Sequence, residues 1–300
     1  MNRRDLLKSS AALGIISAIP FSRATANVES PAIANPLKPP AQGSIPVAFL
    51  ISDGAVLIDF IGPWEVFGSV MIHGRMDFFQ LYTVAETTTP VRAGGGMKIV
   101  PDFTLETAPA PKVIVIPAQK DPSQEVLEWI RRSAKTADVT MSVCTGAYVL
   151  AKTGLLNDRS ATTHHASYVD FATKFPSIRV QRGVRFVEDG NLASSGGLSS
   201  GIDLAFRVVE RYFGRDAATQ TAYDMEYQGQ GWMEPSSNAV YAKLHSSTSD
   251  HVLCPVCGMD VDPANNPKSA YKGQVYYFCS QDHRAQFDAA PAKFVEAAKP

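Results

Sequence analysis

The stretch that decides the fold is Val139-Thr140-Met141-Ser142-Val143-Cys144-Thr145-Gly146-Ala147. Its first five residues form an apolar, β-like run, and a helical segment follows directly after Ala147. A strand that turns into a helix through a nucleophile and a glycine holds the nucleophile in an exposed, strained position. The sulfur of Cys144 would then lie at a helix N-terminus, where free N–H groups and the helix dipole favour the thiolate. The alternative is a buried and inert cysteine in a strand.

Strand-like and helix-like segments alternate on both sides of this stretch. Short apolar runs that predict buried strands are residues 47–51, 78–84 and 113–117. Helices are expected to start at Pro63, after residues 121–124, and over residues 199–212. This alternation predicts an α/β fold with a mostly parallel sheet and helices on both faces. Ligand sites of such sheets lie at the carboxyl ends of the strands, where Cys144 falls.

Length and composition set limits on the class of protein. The chain has 300 residues, 45% hydrophobic and 19% charged, with a net charge of -1. This length fits one large domain or two unequal ones, and the charge predicts binding to neither nucleic acid nor an anionic membrane surface. Three of the four cysteines lie close together near the C-terminus, whereas Cys144 stands alone. The cysteines therefore predict two separate chemistries.

The first 26 residues are typical of an export signal. A charged start containing Arg3 and Arg4 precedes an apolar stretch at residues 11–19 and the small residues Ala24-Thr25-Ala26. Paired arginines indicate a twin-arginine-type signal, with a plain secretory signal or a membrane anchor as alternatives. We therefore expect a periplasmic protein whose mature form has no membrane span. Residues 27–44 and 233–250 are expected to be linkers.

Four segments carry a resemblance to a known family: residues 53–67, 143–147, 161–164 and 194–203. On these segments, residues 45–232 resemble the ThiJ/PfpI family of the class I glutamine amidotransferase-like superfamily. The most similar subgroup is isonitrile hydratase-like. The resemblance implies a flavodoxin-like sandwich with a nucleophile elbow, and it makes a homodimer plausible.

The resemblance also implies roles for four residues. Cys144 matches the nucleophile, and Asp59 matches an acidic residue beside it, whose pKa the like charge of a thiolate would raise. Thr145 would offer its backbone N–H to a developing negative charge, and His164 would line the pocket. For Asp59 the alternatives are a solvated loop carboxylate or a helix N-cap. A small-molecule substrate is expected, with no cofactor at this site.

The C-terminal segment contains two pairs of potential metal ligands. Cys254 and Cys257 form a C-x-x-C pair, and Cys279 and His283 form a C-x-x-x-H pair beyond a predicted hairpin at residues 270–276. Two such pairs suit tetrahedral coordination. Residues 251–298 resemble the YHS domain, although His283 stands where a cysteine is usual. We expect bound zinc or copper; the alternatives are a Cys254–Cys257 disulfide or a module without metal.

Two functional hypotheses follow. The first is an exported cysteine-dependent hydratase or hydrolase that adds water to a small electrophilic substrate, such as an isonitrile, and carries a metal-binding tail. The second is a non-enzymatic periplasmic protein that binds metal or responds to oxidation. A transcriptional regulator is not expected, because the chain carries an export signal and no helix-turn-helix pattern follows Tyr227.

Overall fold

The computed structural model describes residues 33–242, 247 and 252–296, and the structural statements below concern these residues. The predicted export signal lies outside the described residues. Parts of both predicted linkers also lie outside them, namely residues 27–32, 243–246 and 248–250.

The strands are β1 (Ile45–Leu50), β2 (Phe79–Ala85), β3 (Val91–Arg92), β4 (Lys98–Ile99), β5 (Phe103–Thr104), β6 (Val113–Ile116), β7 (Val139–Val143), β8 (Ser160–Ala161), β9 (Arg179–Val180), β10 (Phe186–Asp189), β11 (Leu192–Ser195), β12 (Lys268–Tyr271) and β13 (Gln274–Tyr277). The α-helices are α1 (Leu57–Gly68), α2 (Gln124–Ser133), α3 (Gly146–Lys152), α4 (Tyr168–Lys174), α5 (Ser200–Phe213), α6 (Arg215–Asp224), α7 (Gln281–Ala289) and α8 (Pro291–Glu296). Short 3-10 helices occur at Gly94–Gly96, His165–Ser167 and Pro235–Tyr241.

Seven strands form the central sheet in the order β10-β11-β7-β6-β1-β2-β5. All neighbours are parallel except β10 and β11, which form an antiparallel hairpin at one edge. Strands β1, β6 and β7 lie in the middle of the sheet and are mostly apolar, since both of their faces are buried. The prediction of a mostly parallel sheet is confirmed.

Each face of the sheet has its own core. Val47 and Phe49 of β1 pack with residues of α1 and α5, whereas Ala48 and Leu50 pack with residues of α2, α3 and α4. Successive side chains of a strand point to opposite faces, so one buried strand contributes to both layers. The molecule is therefore a three-layer sandwich, as expected for the flavodoxin-like class.

Helix α1 differs from its prediction. It begins at Leu57, and Pro63 lies inside it rather than in its first turn. Proline removes the N–H that would bond the carbonyl of Asp59, yet the helix continues because it packs tightly against α5. A Cβ added at Gly62 would come within 2.8 Å of Ile202 Cγ1. As a result Asp59 lies buried in the first turn of α1, and it is neither a solvated loop carboxylate nor the N-cap, the two alternatives.

Both predicted linkers include ordered residues. On the N-terminal side, Arg207 and Arg211 of α5 donate hydrogen bonds to the carbonyls of Ala34 and Asn35 (2.7 and 2.8 Å). After the last sheet residues, the 3-10 helix Pro235–Tyr241 buries Asn238, which bonds Arg185 at 3.1 Å. The described residues of these segments are hydrogen-bonded to the α/β domain.

The C-terminal module, residues 252–296, is a small α+β unit. Its hairpin β12–β13 turns through Lys272 and Gly273, both with positive φ (49° and 82°), as a two-residue type I′ turn requires. Phe278, Phe287 and Phe294 form the core of the module. Among the described residues, no helix has both the length and the apolar character needed to cross a bilayer.

Candidate active site and metal centre

Cys144 connects β7 to α3 in a strained conformation. Its φ is 57°, in the left-handed region that non-glycine residues rarely occupy. Its amide donates to the carbonyls of Ser195 and Gly196 (3.2 and 3.0 Å), which ties the elbow to the end of β11. The predicted elbow is confirmed, but the side chain is buried, with 7% exposure, rather than exposed.

Two neighbours explain why this sequence forms the elbow. A Cβ added at Gly146 would lie 2.2 Å from the carbonyl oxygen of Ile116 and 2.7 Å from that of Pro117. Only glycine allows α3 to start this close to the end of β6. Thr163 fixes the other side, because its hydroxyl donates to the carbonyl of Cys144 at 3.0 Å.

Asp59 is a buried carboxyl group with one oxygen unused. The residue is fully buried, and its Oδ2 accepts a hydrogen bond from the Ala118 amide at 3.0 Å. Its Oδ1 has no hydrogen-bond partner among the described residues. Burial raises the pKa of Asp59 to about 6, against the lowering effect of the Ala118 amide. At neutral pH Asp59 is therefore mostly ionised, with a free oxygen that can accept a proton.

Opposing effects act on the pKa of the Cys144 thiol. Burial and the charge of Asp59 raise the pKa of Cys144 to about 11, while hydrogen bonds from the Leu198 amide and from the amide and hydroxyl of Thr145 lower it. The raising effects are larger. Burial and the charge of Asp59 thus favour the protonated thiol, in opposition to the resting thiolate that the sequence predicts. Asp59 is close enough for its charge to act on the sulfur.

Two amides point at the sulfur. The Thr145 N–H was expected there from its place after the nucleophile; the Leu198 N–H comes from the loop that precedes α5. Leu198 has a φ of 35°, so this loop is also in a rarely occupied conformation. Donors that face a nucleophile also face negative charge that develops on atoms bonded to it.

His164 lies beside this loop. A Cβ added at Gly197 would come within 2.6 Å of His164 Cδ2, so the imidazole covers this glycine. Nδ1 accepts from the Ala166 amide at 3.2 Å, which places the proton of the neutral ring on Nε2. Burial lowers the pKa of His164, and the charge of His165 lowers it further. Among the described residues no hydrogen bond joins His164 to Cys144.

His164 does line a pocket next to the site. The pocket has a volume of about 200 Å³ and includes Leu198, His165 and Tyr241 in its wall. His165 stacks on Tyr241 with ring centroids 4.9 Å apart. The expected role of His164 as a pocket residue agrees with this position, and His165 forms an aromatic wall together with Tyr241.

The structure brings the four predicted metal ligands together. The ligand atoms of Cys254, Cys257, Cys279 and His283 all lie within 4.8 Å of one another. The Cys257–Cys279 sulfur distance is 3.5 Å, and His283 Nδ1 lies 3.1 Å from the Cys279 sulfur and 3.8 Å from the Cys254 sulfur. In a tetrahedral zinc site with bonds of about 2.0–2.3 Å, ligand atoms are about 3.3–3.8 Å apart. The set therefore fits a four-coordinate metal ion.

The local backbone and hydrogen bonds position the ligands and favour the form that binds metal. Gly258, with a φ of 73°, closes a tight turn in which the Gly258 amide donates to the Cys254 carbonyl (2.7 Å) and the Cys254 amide to the Met259 carbonyl (2.8 Å). Hydrogen bonds from Cys257 and His283 lower the pKa of Cys254, which favours a thiolate, the form that binds metal. All four cysteines of the chain are free in the structure, so the Cys254–Cys257 disulfide alternative is absent from it.

Comparison with known families now assigns the fold. The model of the DJ-1/PfpI family matches residues 46–211, and that of the YHS domain matches residues 252–298. The chain belongs to the DJ-1/PfpI family. We call residues 46–211 the DJ-1/PfpI domain. The resemblance inferred from the sequence is thereby confirmed for both parts of the chain.

Individual relatives differ in how much they share with this DJ-1/PfpI protein. An isonitrile hydratase from Pseudomonas putida is 33% identical over 189 residues, which cover 61% of this chain and 79% of that protein. A THiJ/PfpI family protein from Pseudomonas syringae has a solved structure with a TM-score of 0.56 and 22% identity, covering 86% of this chain and 90% of that one. At this level of identity, the likeness to the Pseudomonas syringae protein shows a shared fold only.

Two further likenesses limit what family membership says. Over 44 residues the chain is 46% identical to a copper-transporting P-type ATPase from Rhizobium leguminosarum, which is 14% of this chain and 5% of the ATPase. Relatives of the DJ-1/PfpI domain also include transcriptional regulators, and the chain spans 52% and 47% of two of them. Family membership therefore does not by itself specify the reaction.

Sequence reasoning missed several contributors to the site. The amides of Ala118 and Leu198 act through the backbone, where side-chain identity gives no signal. Thr163 and Gly197 lie within or beside the segments that carry the family resemblance. That placement was the available signal, although it specified neither the hydroxyl bond to Cys144 nor the glycine beneath His164.

Proposed function

We propose that this protein is a cysteine-dependent hydratase of the isonitrile hydratase type. One observation carries the proposal: a buried carboxyl group with a free oxygen, Asp59, lies beside a strained, buried cysteine that receives two backbone amides. The likeness to a curated isonitrile hydratase over most of that enzyme's length supports the same reaction class. The pocket beside His164 has room for a small molecule.

The chemistry begins with a thiol rather than a thiolate. As the sulfur attacks the terminal carbon of R–N≡C, Asp59 Oδ1 takes the thiol proton and then delivers it to that carbon, which gives R–N=CH–S–Cys144. Water then adds to this carbon, with its proton passing through Asp59 to the nitrogen. Loss of the sulfur, which regains a proton, releases the formamide R–NH–CHO. Overall, one isonitrile and one water give one formamide.

The amides of Thr145 and Leu198 have a defined task in this scheme. They hydrogen-bond the sulfur in the resting protein and stabilise negative charge on it during attack and departure. Because both come from rigid backbone, they need no rearrangement when charge develops. The environment of the sulfur thus opposes a resting thiolate but supports a transient one.

The full chain incubated with cyclohexyl isocyanide tests this proposal. We expect N-cyclohexylformamide to accumulate catalytically and Cys144→Ala to form none above the buffer rate. The thermal midpoint of the variant shows whether it is folded. If the wild-type protein forms no formamide, or Cys144→Ala matches it, the proposed reaction is wrong. Absence of turnover would favour the non-enzymatic alternative, a protein that binds metal or responds to oxidation.

We further propose that the C-terminal module binds zinc or copper through Cys254, Cys257, Cys279 and His283. The spacing of these ligand atoms supports the proposal, and a nitrogen ligand shifts the preference from Cu(I) toward zinc. Bound metal would hold two separate segments of the module together. Elemental analysis after anaerobic purification is expected to give one metal ion per chain, and stoichiometric absence of both metals would contradict it.

Export by a twin-arginine-type signal to the periplasm is proposed from the sequence. Residues 1–26 combine paired arginines, an apolar stretch and a small-residue cleavage site. Cell fractionation is expected to find the processed protein in the periplasm, with retention in the cytoplasm when Arg3 and Arg4 are both changed to Lys. Export of that double variant at the wild-type level would contradict a twin-arginine route.

A further inference from the structure

The pocket beside His164 and the sulfur of Cys144 share one loop, residues 196–198. The Gly196 carbonyl accepts a hydrogen bond from the Cys144 amide (3.0 Å), and the Leu198 amide donates to the sulfur. Leu198 also lines the pocket, whose volume is about 200 Å³. A small molecule whose reacting carbon lies at the sulfur therefore has this pocket as the adjacent space for its substituent.

The lining of the pocket includes a buried hydroxyl group that lacks a partner. Ser200, the first residue of α5, lines the pocket and is fully buried. Its Oγ has no hydrogen-bond partner among the described residues. Taking a hydroxyl group out of water is costly unless another group replaces the lost hydrogen bonds. A polar ligand atom in the pocket would supply that partner.

Arg185 contributes a guanidinium group that the fold holds in place. Its Nε donates to Asp203, one Nη donates to Asn238 (3.1 Å), and the other Nη donates to Ser199 (3.0 Å). Arg185, Asn238 and Ser199 line the pocket, whereas Asp203 does not. A guanidinium group carries five N–H groups, so these three bonds fix its orientation and leave it able to donate to a ligand.

The other polar groups of the pocket also favour a negatively charged ligand. The neutral ring of His164 carries its proton on Nε2, because Nδ1 accepts from the Ala166 amide, so Nε2 is a donor. The N-terminus of α5 borders the pocket through Ser199 and Ser200, and this end of a helix dipole favours anions. Among the described residues that line the pocket, none is an aspartate or a glutamate. The pocket thus combines several hydrogen-bond donors with no competing carboxylate.

We propose that this pocket binds a carboxylate group of the substrate, so that the protein hydrates isonitriles with a carboxylate close to the isocyano group. Arg185 and His164 donate hydrogen bonds to the carboxylate oxygens, and the hydroxyl of Ser200 is a third donor. This inference rests on the proposed hydratase function and adds the class of substrate. For isocyanoacetate, addition of one water at the isocyano carbon gives N-formylglycine, and the carboxylate is unchanged.

Matched pairs of substrates test this proposal on the full chain: isocyanoacetate and 3-isocyanopropanoate, each against its own methyl ester. Each ester keeps the isocyano group and removes the negative charge. We expect kcat/KM for at least one of the acids to exceed that of its ester about 10- to 100-fold, because charge-assisted hydrogen bonds are lost in the ester. Esters that react as efficiently as both acids would overturn the inference.

Variants of the pocket show where the preference arises. Ser200→Ala and His164→Phe are each expected to lower the ratio of acid to ester kcat/KM about tenfold. The matched control is Ser142→Ala, which removes a hydroxyl group that is equally buried and unpartnered but does not line the pocket. It is expected to keep the wild-type ratio. Because the ratio compares two substrates on one protein, a change in the folded fraction does not alter it.

Cyclohexyl isocyanide, which has no carboxylate, separates this inference from the proposed function. If the protein hydrates cyclohexyl isocyanide but does not prefer the acids to their esters, the hydratase proposal stands and this inference is overturned. A preference for the acids that Ser200→Ala leaves intact, or that Ser142→Ala lowers equally, also overturns the assignment of this pocket. If the protein hydrates none of these isonitriles, the proposed function is overturned, and this inference with it.

Discussion

The pH dependence of an Asp59→Asn variant gives the sharpest view of the proposed chemistry. With the pKa of Cys144 at about 11, only about one sulfur in 10⁴ is ionised at pH 7, so an unassisted thiolate route is about 5 kcal/mol uphill. Asp59, with a pKa of about 6, is the adjacent base. Removing such a base lowers the rate about 10²- to 10⁴-fold.

The pH dependence of kcat/KM is as informative as the size of the rate loss. For wild type, kcat/KM is expected to fall tenfold per pH unit below about pH 6, because Asp59 must be unprotonated. The variant is expected to lose this inflection and to gain rate with rising pH, since only the thiolate then reacts. Asparagine keeps an oxygen for the Ala118 amide, so the fold should persist.

Formamide production across pH 5–10 is the assay, with Asp121→Asn as the control. The side chain of Asp121 is 89% exposed and pairs with Lys152, so its variant is expected to follow the wild-type profile. An Asp59→Asn protein that stays within about threefold of the wild-type rate, or keeps the inflection near pH 6, would refute Asp59 as the base.

Three further outcomes follow from the same contacts. Asp59→Asn should speed alkylation of Cys144 by iodoacetamide at pH 8, because loss of the negative charge lowers the pKa of the sulfur; slower labelling in peptide mass spectra would contradict this. Gly146→Ala should destabilise the chain by at least about 2 kcal/mol in denaturant melts, since its Cβ meets two carbonyls. The control is Gly68→Ala, whose Cβ would meet Leu81 Cδ1 at 3.6 Å, an ordinary contact, so this variant should be tolerated. Equal losses of stability in the two variants would show that the contact at the elbow is unimportant. Chelation by EDTA should lower the melting temperature of the C-terminal module and zinc should restore it; an unchanged melting temperature would contradict a structural metal.

Much of the fold was predictable from local patterns. The apolar run before Cys144, the glycine after it and the hairpin around Gly190 each have one strong local solution, and the structure adopts it. The Ser123 cap of α2 also forms as its sequence predicts, with its hydroxyl accepting the Val126 amide at 3.2 Å. These features depend on residues close together in the chain.

The parts that sequence did not predict depend on distant contacts. Helix α1 starts before Pro63 because α5 packs against it, and this places Asp59 in a buried turn rather than a loop. Burial also raises the pKa of Cys144, in opposition to the effect expected from its helix N-terminus. The docking of the module on Val169 likewise involves residues far apart in sequence.

The most direct measurement is the rate of Cys144 alkylation in the wild-type protein from pH 6 to pH 11, followed on the Cys144 peptide by mass spectrometry. A resting thiol beside an ionised carboxyl group predicts a rate that rises about tenfold per pH unit up to pH 10. A rate that is already at its plateau at pH 7 would show a stable thiolate. That result would contradict proton transfer to Asp59 as the first step.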